Sequence, residues 1–507
     1  MFEMLAQGLA IVFEPSLFLM TLLAIVMGTV FGALPGVSAT MAVALGLPFT
    51  YSMQPVPAIV FLVAVYCSSI TGGSISAILF KIPGVPSSAP TTFDGYPMAK
   101  RGEAGKAIGV ALVTSAIGGL FSAFAMFFLS PQLTQAALNF GPSEMFAVTF
   151  MGLSILTSLD SKNILRTTIS GLLGLLLGTV GQDPMYGVQR LTFGSRQLLS
   201  GIEMIPVLIG IFALTEVFQQ TKENKRITAE DAEKAGATTI DTKMPSMKEW
   251  LSIKWVIIRC SLIGTVVGIL PGAGATIASF LCYSTETKLS KHPEKFGTGI
   301  IDGVAASEAA NNAATGGAMV PLLSLGIPGG NAAAVMMSAL VLKGVQLGPL
   351  LLINQPEYLS ATFVSMIITN IVMVFVAIGI AKVFAKILSI PYSVLGPVIM
   401  MLAMIGSYAT NMSTMDVKIM AIAGVMGVLF KVMHFNSAAL ILGLVLGSIC
   451  EGNFSRAYTI YRGDIAGMFM RPIAGTIMVI CIVALIYPFI APALKTMLGK
   501  NKKTADK

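Results

Sequence analysis

One segment of the sequence, "SEAANNAATGG" at residues 307–317, places a carboxylic acid and two amides among alanine and glycine. Its chemistry resides in Glu308, Asn311 and Asn312, because a hard cation such as sodium prefers carboxylate and amide oxygens as ligands. A glutamate at membrane depth also suits proton transfer. The structural alternative is that the amides hydrogen-bond between closely packed helices. The three residues are candidates for binding a cation or a proton.

A second group of candidates follows two Leu-Pro-Gly breaks. "GALPGVSAT" at residues 32–40 and "GILPGAGAT" at residues 268–276 interrupt apolar runs. In lipid, a broken helix exposes backbone N–H groups, and the new helix N-terminus carries about half a positive charge, which suits an anion. Close helix packing is the alternative reason for small residues here. The predicted substrate-binding residues at the breaks are Pro35, Gly36, Ser38, Thr40, Pro271, Gly272 and Thr276.

Two further Pro-Gly sites, "KIPG" at residues 81–84 and "GIPG" at residues 326–329, precede small polar residues and a helical stretch. The predicted substrate contacts at these hairpin tips are Ser87, Ser88, Gly329 and Asn331, with Thr91 as a further hydroxyl donor. Lys81 and Lys343 either add positive potential or extend from loops into water. Asp94, which precedes a glycine, also fits a simple turn. The sequence leaves the roles of these last three residues open.

The whole chain is apolar enough to lie in a membrane. Its 507 residues are 55% hydrophobic and 11% charged, with a mean hydropathy of +0.82, whereas soluble proteins carry roughly 25% charged residues. Apolar stretches of the ~20 residues that span a bilayer core recur along it. The sequence therefore predicts an all-α polytopic membrane protein.

Composition also argues against several classes of function. Five cysteines without C-x-x-C spacing and only two histidines give no basis for a transition-metal site. The net charge of +8 lies in short loops without interleaved aromatic residues, so no nucleic acid is expected as a partner. Neither histidine lies in a break motif, and no P-loop for ATP is present, so we expect no catalytic residues and no cofactor.

The chain is an internal repeat. "GTVFGALPGVSAT" (residues 28–40) and "GTVVGILPGAGAT" (residues 264–276) are identical at nine of thirteen positions, and a TGG…IPG segment follows each. Lysine and arginine mark cytoplasmic loops. Corresponding loops have opposite character: "YSMQPV" has no base, whereas "TKLSKHPEK" has three lysines. This pattern predicts inverted topology, with the N-terminus periplasmic and the C-terminus cytoplasmic.

The predicted architecture is two inverted-topology repeats with broken helices and re-entrant hairpins, plus one extra C-terminal span. The first repeat covers residues 1–220, a cytoplasmic linker covers 221–252, the second repeat covers 253–470, and residues 471–507 hold the extra span and a basic cytoplasmic tail. One broken helix in each inverted half is typical of a secondary transporter whose site lies between the repeats. An ion channel or pore, or a membrane-embedded enzyme, is the alternative.

These motifs resemble those of the large membrane subunit of the tripartite tricarboxylate transporter family. The segments "GALPGVSATMAVALGLPFTYSMQP", "TGGSISAILFKIPG", "DGYPMAKRGEAGKA", "GILPGAGATIASFL", "SKHPEKFGTG" and "EAANNAATGGAMVPLLSLGIPG" follow the family's order over almost the full chain. Two positions depart from the family: Ser307 stands where proline is frequent, and Lys343 where histidine is frequent. These departures leave the identity of the substrate open.

The resemblance implies partners that this chain does not encode. They are a small four-span membrane subunit and a periplasmic binding protein that delivers a carboxylate substrate. It further implies a permease subunit of the bacterial inner membrane that imports a di- or tricarboxylate, such as citrate, by alternating access. Coupling would be to a co-transported Na⁺ or H⁺.

Overall fold

The computed structural model describes residues 2–35, 37–156, 164–183, 187–215, 217–218, 245–271, 274–388, 392–483 and 485. It is 81% helical, and the strands in these ranges are the two-residue β1 (Gly181–Gln182) and β2 (Gln189–Arg190), paired antiparallel. Five helices among the described residues are long and apolar enough to cross a membrane. The prediction of an all-α polytopic membrane protein is confirmed.

The described helices of the first half begin at residue 2 and end near residue 214. They are α1 (Phe2–Val12), α2 (Pro15–Ala33), α3 (Ala39–Thr50), α4 (Pro55–Phe80), α5 (Thr91–Lys100), α6 (Ala104–Ala137), α7 (Pro142–Leu156), α8 (Ile164–Gly178) and α9 (Met204–Ile209). A 3₁₀ turn, Pro86–Ser88, precedes α5, and a π-helical segment, Gly210–Leu214, continues α9. Another 3₁₀ turn lies at Arg196–Leu198.

Helices α10–α13 and α15–α18 of the second half follow the order of α2–α9, and α14, α19 and α20 are additional helices among the described residues. Its helices are α10 (Met247–Ile269), α11 (Gly274–Leu289), α12 (Ile301–Leu325), α13 (Asn331–Leu342), α14 (Pro349–Asn354), α15 (Glu357–Leu388), α16 (Tyr392–Asn411), α17 (Thr414–Val432), α18 (Ser437–Ile460), α19 (Ile465–Phe469) and α20 (Pro472–Val483). A 3₁₀ turn, Pro293–Lys295, lies between α11 and α12.

Helix α10 begins inside the segment that the sequence assigned to the linker. Ser246 caps it by accepting the backbone N–H of Glu249, while the Glu249 side chain accepts the backbone N–H of Ser246. This reciprocal pair fixes the helix start at Met247, because it satisfies two N–H groups that the first turn leaves free. The rest of the predicted linker, residues 219–244, lies outside the described residues.

Both Leu-Pro-Gly motifs end a helix in the same way. Leu34 follows α2 with φ −72° and ψ 119°, and Leu270 follows α10 with φ −73° and ψ 121°. An extended residue before proline is expected, because the proline ring disfavours the helical conformation of its predecessor. A shorter helix follows each break, α3 after the first and α11 after the second. Gly36 and Gly272 lie outside the described residues.

The chain forms two compact units, which do not coincide with the two halves of the sequence. Unit 1 comprises Met1–Leu138 and Ile205–Val428, and unit 2 comprises Asn139–Met204 and Leu429–Lys507. Every candidate site residue lies within the ranges of unit 1. Each half of the repeat thus contributes to both units.

Unit 1 is built around α4 and α12, whose side chains are buried along almost their whole length. Helix α2 packs on α4 and α15, while α10 packs on α12 and α6. Helix α4 in turn packs on α15, and α12 packs on α6. Under the sequence repeat, α2 corresponds to α10, α4 to α12 and α6 to α15. The contact of α2 with α15 therefore matches the contact of α10 with α6, and each joins one half to the other.

Unit 2 is held by α18, which packs on α7 and α8. At the start of α7, the Arg471 Nε donates to the buried Glu144 Oε1 at 2.8 Å. Arg190, on β2, pairs with Asp183 and Glu451. The predicted extra span begins as α20, and its continuation beyond residue 485 lies outside the described residues.

Candidate functional site

Glycines place each broken helix against one of the two central helices, α4 and α12. A Cβ at Gly268 would lie 2.5 Å from the carbonyl oxygen of Ala314 on α12, and a Cβ at Gly32 would overlap the carbonyl oxygen of Ser69 on α4. Distances of this kind exclude any side chain, so only glycine permits the two backbones to approach so closely. The backbone just before each Leu-Pro-Gly motif is therefore fixed on a buried helix.

The hairpin that follows each central helix returns to the break of its own half. A Cβ at Gly329 would lie 2.6 Å from the Gly268 carbonyl oxygen, and one at Gly84 would overlap the Gly32 carbonyl oxygen. The two IPG glycines are thus equivalent, and each lies beside a break. Gly329, a predicted substrate contact, is buried against backbone.

Each IPG motif follows a residue that ends the central helix and has the left-handed backbone conformation. Lys81 has φ 58° and ψ 22° after α4, and Gly326 has φ 69° and ψ 29° after α12. This conformation is common at the end of a helix and usually taken by glycine. The Lys81 side chain is exposed, with its Nζ 5.8 Å from the centre of the Tyr96 ring.

The two halves meet at two contacts, in each of which the hairpin of one half packs on the short helix of the other half. The 3₁₀ turn Pro86–Ser88 of the first half packs on α11 of the second, and α13 of the second half packs on α3 of the first. Among the predicted substrate contacts, Thr40, Ser87, Ser88 and Pro271 are buried, whereas Pro35, Ser38, Thr276 and Asn331 are partly exposed. Ser38 is also engaged as the cap of α3, because its hydroxyl accepts the Met41 N–H at 3.1 Å.

Glu308 lies at the centre of a fully buried polar cluster. Its carboxyl group accepts a hydrogen bond from Asn311 Nδ2 at 3.0 Å and one from Ser115 Oγ at 3.0 Å, and it bonds to the Thr91 hydroxyl. Thr91 lies in addition 2.9 Å from Ser307 Oγ. These residues come from α5, α6 and α12, so the first half supplies hydroxyl groups to a carboxyl group of the second.

Asn312 faces a different neighbour from Asn311. Its Nδ2 donates to Thr71 Oγ1 at 2.9 Å and to the Cys67 carbonyl oxygen at 3.4 Å, both on α4. The Oδ1 atoms of Asn311 and Asn312 are buried without a hydrogen-bond partner in the described structure. A buried amide oxygen that lacks a partner costs free energy, so each is a free ligand position for a cation or a water molecule.

Asp94 is no simple turn residue. It is fully buried on α5, and its Oδ1 accepts the backbone N–H groups of Gly297, Gly299 and Ile300 at 2.8–3.0 Å. Its Oδ2 accepts the Tyr283 hydroxyl at 2.8 Å. The carboxylate therefore holds the loop that leads into α12, and with it the start of the helix that carries Glu308.

Lys343 and Arg101 each donate hydrogen bonds from one half of the chain to the other, at corresponding places in the repeat. Arg101, at the end of α5, donates to the carbonyl oxygens of Thr298 and Gly299 at 2.5 and 2.6 Å. Lys343, at the end of α13, donates to the Met53 carbonyl oxygen at 2.6 Å. Partial burial lowers the pKa of the Lys343 ammonium group. Each base ties a hairpin helix to the loop that follows the short helix of the opposite half.

The sequence reasoning missed four contributors to this site, namely Thr71, Ser115, Arg101 and Tyr283. Thr71 opens the repeated TGG motif, and Ser115 is a polar residue inside the apolar α6, so both carried a signal. Arg101 and Tyr283 carried none, because a loop arginine and a helix tyrosine are ordinary at a membrane surface.

Comparison with known proteins identifies the family to which the chain belongs. The chain matches the family model of the tripartite tricarboxylate transporter TctA family over residues 18–442. It is 37% identical over 469 residues to an uncharacterized 52.8 kDa protein in the TAR-I ttuC′ 3′ region of Agrobacterium vitis, covering 92% of each chain. It is also 37% identical over 230 residues to an uncharacterized protein in the TAR-II ttuC′ 3′ region of the same organism, covering 45% of this chain and 95% of that protein. No solved structure matches the chain. The chain therefore belongs to the TctA family of tripartite tricarboxylate transporters, which is a family of transporters and not of enzymes.

Proposed function

We propose that this chain is the large permease subunit of a binding-protein-dependent secondary transporter that imports a di- or tricarboxylate. A small four-span subunit and a periplasmic binding protein are its partners in the bacterial inner membrane, and a sodium or proton gradient drives the cycle by alternating access. The observation that carries the proposal is the pairing, inside unit 1, of two broken helices with two hairpins that exchange partners between the halves. This arrangement is typical of secondary transporters.

An inverted repeat is the part of this proposal that the packing supports most directly. The contacts α2–α15 and α10–α6 correspond under the repeat, as do α3–α13 and α11 with the 3₁₀ turn Pro86–Ser88. A two-fold axis relating the halves would produce such pairs of contacts, because it maps each helix onto its counterpart in the other half. The loop charges then favour an axis in the membrane plane, with the N-terminus periplasmic and the C-terminus cytoplasmic.

The chemistry of the breaks favours an anionic substrate. Helices α3 and α11 begin inside the compact unit, and a helix N-terminus presents unpaired N–H groups and partial positive charge. Serine, threonine and asparagine side chains stand near these starts, at Ser38, Thr276 and Asn331. A substrate with two or three carboxylates carries strong negative charge, so a co-bound cation would offset the repulsion among these charges. Glu308, Asn311 and Asn312 are the proposed cation-binding residues.

Reconstitution tests the proposal. Proteoliposomes containing this chain and the small subunit, with the binding protein outside, should accumulate radiolabelled citrate or succinate in a saturable manner. Accumulation should need the binding protein and an ion gradient and should not respond to ATP. Flux that neither saturates nor exceeds equilibrium would instead identify a channel or pore.

Variants locate the substrate site. Asn331→Ala should raise the half-saturating substrate concentration, because a hydrogen bond to a charged group contributes about 1.5–3 kcal/mol, or at least tenfold in affinity. Asn354→Ala is the matched control, since Asn354 is exposed on α14. Gly36→Val and Gly272→Val should abolish uptake while the protein still inserts. Normal uptake by both glycine variants would contradict the broken-helix site.

A further inference from the structure

Two buried amides, one on α12 and one on α15, use their nitrogen atoms and leave their oxygen atoms unpartnered. Asn312 and Asn370 are both fully buried. Asn312 Nδ2 donates to the Cys67 carbonyl oxygen at 3.4 Å, and Asn370 Nδ2 donates to the Met366 carbonyl oxygen at 2.8 Å. A carbonyl oxygen accepts and cannot donate, so these bonds assign the nitrogen end of each amide. Within the described residues, neither Oδ1 atom has a hydrogen-bond partner.

Asn312 faces the groove between α4 and α6. Three residues further along α12, Thr315 Oγ1 accepts a hydrogen bond from Cys67 Sγ of α4 at 3.4 Å. Four residues further along, Gly316 lies so close to α6 that a Cβ there would overlap Ser122 Oγ. Residues three and four positions apart are neighbours on one helix face. Asn312 therefore lies on the face of α12 that packs on both α4 and α6.

Asn370 faces the same groove from α15. A Cβ at Gly119 of α6 would overlap Asn370 Oδ1, so only glycine leaves room for this amide. Three residues further along α15, Met373 Sδ accepts a hydrogen bond from Thr71 Oγ1 of α4 at 3.2 Å. By the same spacing rule, Asn370 lies on the face of α15 that packs on both α4 and α6.

The two amides also lie at the same level of the four helices. The α6 residue before the glycine that contacts Asn370 is Gly118, and a Cβ there would overlap the carbonyl oxygen of Ala309, one turn before Asn312. Thr71 joins the amides from the side of α4, because its Oγ1 accepts Asn312 Nδ2 at 2.9 Å and donates to the methionine one turn after Asn370. The oxygen atoms of these three polar side chains therefore line one space between α4, α6, α12 and α15.

This set of oxygen atoms suits a monovalent cation. Asparagines that only join packed helices would use their amide oxygens as acceptors, whereas both oxygens here are free. Thr71 Oγ1 accepts one N–H group and keeps a second lone pair. Hard cations prefer oxygen ligands, and calcium and magnesium are usually held by carboxylates. Neutral amide and hydroxyl oxygens therefore favour a singly charged hard ion.

We propose that the coupling ion of the transport cycle is sodium, bound between the four helices by Asn312 Oδ1, Asn370 Oδ1 and Thr71 Oγ1. The inference rests on the proposed function. It selects sodium from the two candidate coupling ions and adds Asn370 and Thr71 to the cation-binding residues. Both amides belong to the second half of the chain, and Asn312 is the member of the earlier candidate set that faces this groove.

Sodium binding to the purified membrane complex tests the site without any transport. In nanodiscs at constant ionic strength, with choline replacing sodium, the wild-type complex should bind radiolabelled sodium in a saturable manner. Sodium should also raise its unfolding temperature, because an ion that binds the folded state stabilises it. A wild-type complex that binds no sodium would overturn the inference, since the amide oxygens would then bind water alone.

Variants of Asn370 locate the bound ion. Asn370→Leu removes the oxygen at similar size and should weaken sodium binding by about tenfold or more, because a contact with a charged group is lost. Asn370→Asp keeps an oxygen at the same place and should still bind sodium. Asn453→Leu is the matched control, since Asn453 Nδ2 also donates to the carbonyl oxygen four residues earlier, at 2.8 Å, but is partly exposed on α18. Wild-type affinity in Asn370→Leu, or an equal loss in the control, would overturn the inference.

A second pair of variants decides the question if Asn370→Leu does not fold. Thr71→Val removes the hydroxyl group at nearly constant volume and should also weaken sodium binding by about tenfold, whereas Thr71→Ser keeps the hydroxyl and should bind as the wild type does. Equal sodium affinity in Thr71→Val and the wild type would show that the ion does not lie between these helices.

Transport separates this inference from the proposed function. With the binding protein outside and citrate as the probe, wild-type accumulation should require an inward sodium gradient. Asn370→Leu should need about tenfold more sodium for half-maximal uptake. Accumulation driven by a pH gradient in sodium-free buffer would refute the sodium inference alone. Absence of any citrate or succinate uptake by the complete wild-type complex would refute the proposed function.

Discussion

Replacing Asp94 by alanine should destabilise unit 1 far more than the loss of a turn residue would. The side chain is fully buried and accepts four hydrogen bonds, three from backbone N–H groups at 2.8–3.0 Å and one from Tyr283 at 2.8 Å. Each hydrogen bond to a charged group contributes about 1.5–3 kcal/mol, but such terms are not additive within one network. We therefore expect Asp94→Ala to lower the free energy of unfolding by about 4 kcal/mol, near the upper limit for single substitutions.

Tyr283→Phe is the control for this experiment, because it removes one of the four donors and keeps the ring. The Tyr283 ring packs against Phe93 and Phe296, with centroids 5.4 and 5.5 Å apart. We expect a loss of about 1–2 kcal/mol, since one hydrogen bond is removed. Unfolding of the purified protein in mixed detergent and SDS micelles measures both values. If Asp94→Ala costs less than Tyr283→Phe, the carboxylate does not hold the loop before α12, and the reasoning is refuted.

Two other contacts give predictions for the same unfolding assay, and the topology gives one for labelling. Gly268→Ala should lose about 1–3 kcal/mol, because the new methyl group would overlap the Ala314 carbonyl oxygen, whereas Gly379→Ala should be neutral, since nothing lies within 4 Å of a Cβ there. Lys343→Met should lose about 1–2 kcal/mol by leaving the Met53 carbonyl oxygen without its donor, and exposed Lys288→Met should lose nothing measurable. Cysteines placed at Lys234 and Asn501 should react with impermeant reagents from the cytoplasmic side; periplasmic labelling of both would contradict the topology.

The helix breaks were predictable because their cause is local. Proline restricts the residue before it wherever it occurs, so two equal motifs give Leu34 and Leu270 the same backbone angles. The αL residues Lys81 and Gly326 also lie at matching positions, each directly before an Ile-Pro-Gly motif, but the proline restricts the isoleucine that precedes it and not the αL residue. Composition and span length were equally sufficient for the all-α membrane class, because the bilayer leaves a single chain few other ways to satisfy its backbone.

The partners of polar residues were not predictable, because they depend on which helices meet. Asn311 and Asn312 are adjacent in sequence, yet successive residues on a helix point about 100° apart. One consequently bonds to Glu308, and the other to Thr71 on α4. Asp94 likewise reads as a turn residue until the loop at residues 297–300 is placed against it. The division into units that cut across the repeat is a property of packing and has no counterpart in the sequence pattern.

The two halves of the repeat differ at the one place where coupling is proposed. Aligning Thr71 with Thr315 sets Glu308, Asn311 and Asn312 of α12 against Ala64, Cys67 and Ser68 of α4. Aligning the IPG motifs likewise sets Ser87 and Ser88 against Ala332 and Ala333. In both places the hairpin of one half contacts the central helix of the other half. Helix α12 contacts the 3₁₀ turn Pro86–Ser88, and α4 contacts α13.

Only one of these two contacts carries a carboxyl group among the described residues. The two contacts correspond under the sequence repeat, and the contact made by α12 is the one that carries Glu308. Under the proposed function, the coupling ion would therefore be bound on the side of the second half. We expect one coupling ion at this position per chain, and a measured ratio of two or more coupling ions per substrate would contradict this expectation.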